Sequence, residues 1–106
     1  MPNITFNVET AAKPKLVVSH KRNGQSVNTV VGLSGDGPGK FKGSLPTPTG
    51  RVLLTWIFVG SPGTTYAITL SPASKVTLSR GSNPIKSRIA TRETAGTGGV
   101  FVTVSA

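Results

Sequence analysis

The run Arg51-Val52-Leu53-Leu54-Thr55-Trp56-Ile57-Phe58-Val59-Gly60 constrains the fold more than any other part of this chain. It holds the single Trp and the densest apolar content in the sequence. A membrane helix needs about 20 apolar residues, so the run is too short to span a bilayer. Its β-branched and aromatic residues lie between Gly50 and the turn signal Gly60-Ser61-Pro62-Gly63. That pattern predicts a strand buried on both faces. At about 3.3 Å per residue it crosses roughly 28 Å, the depth of a small domain. Tyr66-Ala67-Ile68-Thr69-Leu70 follows a short turn, and a return beside the first strand as a hairpin is expected.

The flanking sequence is punctuated by Gly and Pro in the same manner. Ile4-Thr5-Phe6-Asn7-Val8-Glu9-Thr10 alternates apolar and polar residues, predicting a half-buried strand at a sheet edge. Ala11-Ala12-Lys13-Pro14 should break it, because Pro cannot donate to a ladder. Leu16 to His20 and Val27 to Leu33 read as a hairpin closed around Asn23-Gly24, a pair that tolerates positive φ. Gly35-Asp36-Gly37-Pro38-Gly39 reads as a flexible link into a short strand from Lys40 to Leu45, with Phe41 inward. Pro46 to Gly50 is a stiff extended connection. Val76 to Leu78, Ile85 to Thr91 and Val100 to Val104 complete the set, with Ala95-Gly96-Thr97-Gly98-Gly99 as a loop before the last. The two terminal strands, free of charged gatekeepers, are expected to pair with each other or with a neighbouring subunit.

About nine short strands at roughly 8–12-residue spacing predict an all-β fold. Nowhere do ten residues show apolar spacing of 3.6. A single antiparallel β-sandwich over residues 1–106 is the expected architecture, with a barrel as the alternative. Strand count and a mid-chain Trp resemble those of immunoglobulin-like sandwiches, and a jelly-roll-like arrangement fits equally well. With no Cys pair and no tyrosine-corner motif, the resemblance is architectural and implies no function.

Charge is the second constraint. Twelve Lys and Arg stand against three acids, for a formal charge of +9. Such an excess attracts polyanions without specifying a fold. There are no cysteines, so disulfides and thiolate metal sites are excluded. The N-terminal residues show neither a basic n-region nor an apolar h-region, so no signal peptide is expected. A cytoplasmic or virion-associated location is therefore favoured over classical secretion, although the Thr/Ser/Gly-rich composition also suits surface proteins. No window is long and apolar enough for a transmembrane segment.

Few residues could carry chemistry. A general acid–base pair would have to come from Glu9, Asp36, Glu93 and His20, which are scattered in sequence. Ser19 is next to His20, but on a strand the two point to opposite faces. Asp36 alone cannot meet the six to eight oxygens that calcium takes. Ser34 to Phe41 superficially resembles a phosphate loop. It lacks the required first Gly, and Phe41 stands where Ser or Thr should follow the Lys. No enzyme activity, metal or cofactor is expected.

The patterned signal lies in the cations. Alternation in Ile85 to Arg92 places Lys86, Arg88 and Arg92 on one face, with Ile85 and Ile89 on the other. Lys40 and Lys42 share a face opposite Phe41. These five residues form a candidate polyanion-binding face for nucleic acid, acidic polysaccharide or an anionic membrane surface. A charged outer sheet face is more often simply solvated. The aromatic residues fall at apolar strand positions, which disfavours base stacking. Trp56 and Tyr66 are candidates for a sugar-stacking platform, with core packing as their commoner role.

The expected function is therefore non-catalytic: surface binding or homo-oligomeric assembly through edge strands, as a subunit of a virion, surface or secretion assembly. Polyanion binding and carbohydrate binding are the alternatives.

Overall fold

The computed structural model describes residues 1–106. Its strands are β1 (Asn3–Thr10), β2 (Lys13–Arg22), β3 (Gln25–Val30), β4 (Ser34–Gly35), β5 (Lys40–Pro46), β6 (Gly50–Val59), β7 (Thr65–Ser71), β8 (Val76–Leu78), β9 (Ile85–Arg88) and β10 (Ala95–Val104). A single 3-10 turn spans Ala73–Lys75. No helix is long and apolar enough to cross a membrane.

The strands form two antiparallel five-stranded sheets, ordered β4-β5-β1-β7-β9 and β3-β2-β6-β10-β8. Neither closes on itself, so the architecture is an open sandwich rather than a barrel. We call them the β1 sheet and the β6 sheet, after their middle strands. Seventeen buried apolar residues fill the space between them. Ile4, Phe6, Val8, Ile68 and Leu70 come from the β1 sheet. Leu16, Val18, Val52, Leu54, Phe58, Val100, Val102 and Val104 come from the β6 sheet. All follow the period-two rule, because alternate side chains of a strand point to opposite faces.

The β2–β3 hairpin forms as its turn chemistry requires. Asn23 and Gly24 adopt φ of 52° and 79°, the positive values a tight two-residue hairpin turn needs. Pro14 does not end the ladder. It lies inside β2, opposite Phe58 of β6. The Leu16 carbonyl accepts from the Val31 N–H, so even-numbered residues of β2 aim their backbone toward β3. At Pro14, β3 has already ended, and the missing N–H is not needed there.

Four further expectations are overturned. β1 is the middle of its sheet, flanked by β5 and β7, not an edge. β10 is also interior, between β6 and β8, and lies in the other sheet, so the terminal strands neither pair together nor offer open edges along their full length. β6 and β7 are not a hairpin; the chain crosses between sheets after Val59, and β7 pairs with β1 instead. Finally, β10 begins at Ala95, so the glycine segment 95–99 is strand, paired with β6 throughout.

The Gly-rich segment after Leu33 also contributes structure. Ser34–Gly35 pairs with β5, and the turn is held by the Asp36 N–H donating to the Lys40 carbonyl at 2.8 Å.

Candidate functional site

The interior offers no ligand space. A void of about 10 Å³ lies in it, lined almost wholly by hydrophobic side chains and about the size of a single water probe. His20, Glu9, Asp36 and Glu93 are not brought together, and no group of three such residues gathers anywhere. On the outside, three surfaces differ sharply in chemistry.

The outer face of the β1 sheet is basic. Lys40 and Lys42 point outward from β5, while Phe41 and Gly43 point in. Cross-strand register then aligns Lys40 with Glu9 of β1, Glu9 with Ala67 of β7, and Ala67 with Lys86 of β9. Three strand spacings separate the two lysines, roughly 14 Å. Arg88 stands opposite Thr65, on the same face. Two strands distant in sequence thus place Lys40, Lys42, Lys86 and Arg88 on one surface. Arg92 is not among them. β9 ends at Arg88, and Arg92 lies in a turn closed by the Glu93 N–H donating to the Ala90 carbonyl. Glu9 sits between the lysine rows and offsets part of their field.

The outer face of the β6 sheet carries exposed apolar residues among polar and basic ones. Val30, Val17, Thr55 and Gly99 align across four strands, and Ser19, Leu53 and Phe101 form the next row. Ile57 and Val59 continue the same face of β6. Val30, Val59, Phe101 and Ile57 are 57, 49, 42 and 36 % exposed. Cations stand among them: Lys15 is the cross-strand neighbour of Ile57, Lys13 that of Val59, and the Arg51 guanidinium lies 4.0 Å from the Phe101 ring centroid.

The third surface is a groove of about 590 Å³ at the side of the sandwich, bordered by Trp56, Arg80, Ser82, Ile85, Lys86 and Val100. Trp56 is half-buried, and its Nε1 donates to the Tyr66 hydroxyl at 3.2 Å. Tyr66 is buried and stacks on Phe58, with ring centroids 3.9 Å apart and planes within 10°. Tyr66 is therefore a core residue and out of reach as a sugar platform; only Trp56 opens toward solvent.

Two of these surfaces escaped sequence reasoning. The near-continuous apolar character of β6 is the one signal for the apolar residues on this face, and it reads as two-sided burial. The groove depends on strand order at the sheet edge, which leaves no local signature.

No protein-family model, no curated protein and no solved structure matches this chain. The functional reading rests on these surfaces.

Proposed function

We propose that this chain is a non-catalytic assembly module that associates with copies of itself through the outer face of the β6 sheet. One observation carries the reading. β6 has the sequence of a strand buried on both faces, yet one face of it is covered by nothing in the isolated chain. Near-continuous apolar runs belong to strands with both sides packed. Exposed contiguous apolar patches on a soluble domain mark contact sites. The whole outer face, with strands about 4.8 Å apart, measures on the order of 600 Å², polar positions included, against the roughly 800 Å² per partner of a standard interface.

Edge pairing is a subsidiary route. β3 is a six-residue edge without a charged side chain. Its even-numbered residues aim their backbone away from β2, a template for a neighbouring strand. Such a module suits a repeated structural subunit of a virion, surface or secretion assembly.

Sedimentation equilibrium over a wide concentration range tests the reading. Reversible self-association is expected; a strict monomer at millimolar concentration would contradict it.

A second reading is favoured by the basic outer face of the β1 sheet. Four cations on one face of a chain with net charge +9 suit electrostatic, sequence-independent contact with a polyanion. The two readings use opposite faces and respond oppositely to salt. Screening weakens polyanion binding but relieves repulsion between like-charged copies.

A further inference from the structure

We infer that the groove beside Trp56 is a docking site for an extended, acidic peptide segment of a partner protein, which adds a strand to the open part of β10. This is independent of the self-assembly reading and uses a different surface.

The argument begins with a strand that is too short. β10 has ten residues, but its outer neighbour β8 has three and pairs only with Val102, Thr103 and Val104. The Ser79 N–H extends the contact by donating to the Phe101 carbonyl. Upstream of that point, the outer side of β10 has no strand beside it. The Phe101 carbonyl faces outward and the Thr94 carbonyl faces the β6 side, where it accepts from the Gly60 N–H. Alternation therefore turns the backbone of Ala95, Thr97 and Gly99 outward. Of these groups, the Gly99 carbonyl accepts from Arg80 Nη2 at 2.5 Å. The Thr97 N–H and carbonyl have no partner in the chain.

The groove's other wall is a second open edge. Ile89 bonds through both its N–H and its carbonyl toward the β7 side. Alternation then aims the backbone of Lys86 and Arg88 into the open. On the β10 side the groove is bordered by Val100 and by the Trp56 ring, which lies over Gly98 and so adjoins the open edge at Thr97. Ala95 to Gly99 extends about 17 Å, room for a strand of about five residues.

Charge selects the occupant. Arg80 and Lys86 line the groove and no acid does. A second copy of this chain is a poor occupant, because it carries twelve cations and three acids. A peptide with carboxylates flanking a β-branched core satisfies the open edge with main-chain hydrogen bonds and meets Arg80 and Lys86 with its side chains. This is the strand-addition mode of peptide recognition.

The test is panning of the immobilised full chain against a displayed library of random dodecapeptides, followed by synthesis of the enriched sequences. Enriched peptides should carry Asp or Glu and shift the emission of Trp56, the only Trp. On wild-type protein they should slow hydrogen exchange at the Thr97 amide. Thr97→Pro, which removes the outward-facing donor and fixes the local φ, should abolish binding, whereas Thr97→Ala should retain it. Arg80→Gln should weaken binding about tenfold or more, as loss of a charged hydrogen-bond partner does. The inference is overturned if no peptide is enriched, or if only acidic glycans bind. It is equally overturned if peptides bind without protecting the Thr97 amide. Should Thr97→Pro fail to fold, the exchange measurement on wild-type protein decides.

Discussion

Trp56 lies flat over Gly98, its cross-strand partner, so closely that a Cβ at Gly98 would come within 2.5 Å of the indole ring. The bulkiest side chain of β6 is seated by the absence of one on β10. The glycine segment is therefore part of the packing. Gly98→Ala should push the ring off its seat and break its hydrogen bond to the Tyr66 hydroxyl. We expect a loss of about 1–3 kcal/mol, the usual range for overpacking. Denaturant unfolding measures it, and a shifted Trp emission maximum in the folded state reports the displaced ring.

A second prediction concerns Asn83, whose side-chain amide does the work of a strand neighbour. The Leu70 N–H donates to Asn83 Oδ1 at 3.0 Å, and Asn83 Nδ2 donates to the Leu70 carbonyl at 2.7 Å. β9 begins only at Ile85, so Asn83 supplies the rung that the backbone does not. Asn83→Ala leaves both Leu70 groups unpartnered at a part-buried site. A cost of about 1–3 kcal/mol is expected. Faster exchange at the Leu70 amide is the specific readout.

The Phe58–Tyr66 stack joins the two sheets through the core. Phe58 is fully buried. Phe58→Ala should cost about 3–5 kcal/mol, combining lost transfer energy with a cavity. A chemical denaturation midpoint that drops without a change in slope is the expected outcome.

For the basic face, the double variant Lys40→Glu/Lys86→Glu should lower the dependence of log affinity for a heparin fragment or DNA oligomer on log salt by about two contacts' worth. Arg92→Glu should change it less, because Arg92 lies in the turn beyond β9. A change from Arg92→Glu alone half as large as that of the double variant would dissolve the face into general charge.

How much of this was legible beforehand can be read from particular residues. Asn23-Gly24 announces the β2–β3 hairpin, and the alternation of Ile4, Phe6 and Val8 announces the buried side of β1. Phe41 between Lys40 and Lys42 announces the inner and outer sides of β5. These are local signals. Sheet membership is not local. Nothing near Val59 or Thr65 states that β7 joins β1 instead of β6, because the crossing is decided by core packing among distant strands. The start of β10 was hidden for a different reason: Gly96, Gly98 and Gly99 have no strand propensity of their own and are ordered by β6 beside them. The gathering of Lys40, Lys42, Lys86 and Arg88 depends on the order β5-β1-β7-β9, which only the folded chain reveals. On β6, the apolar residues were legible, but the side left open was not.

The most direct measurement is sedimentation velocity on wild-type protein and on Ile57→Lys, each at about 50 and 500 mM salt. Ile57 is exposed on the outer face of the β6 sheet between Lys15 of β2 and Thr97 of β10, so the substitution should leave the melting curve within about 1 kcal/mol of wild type. If the face is a self-assembly surface, wild type sediments as an oligomer that strengthens with salt, and Ile57→Lys sediments as a monomer at both concentrations. Wild type and variant sedimenting alike, whether both monomeric or both oligomeric, would contradict it.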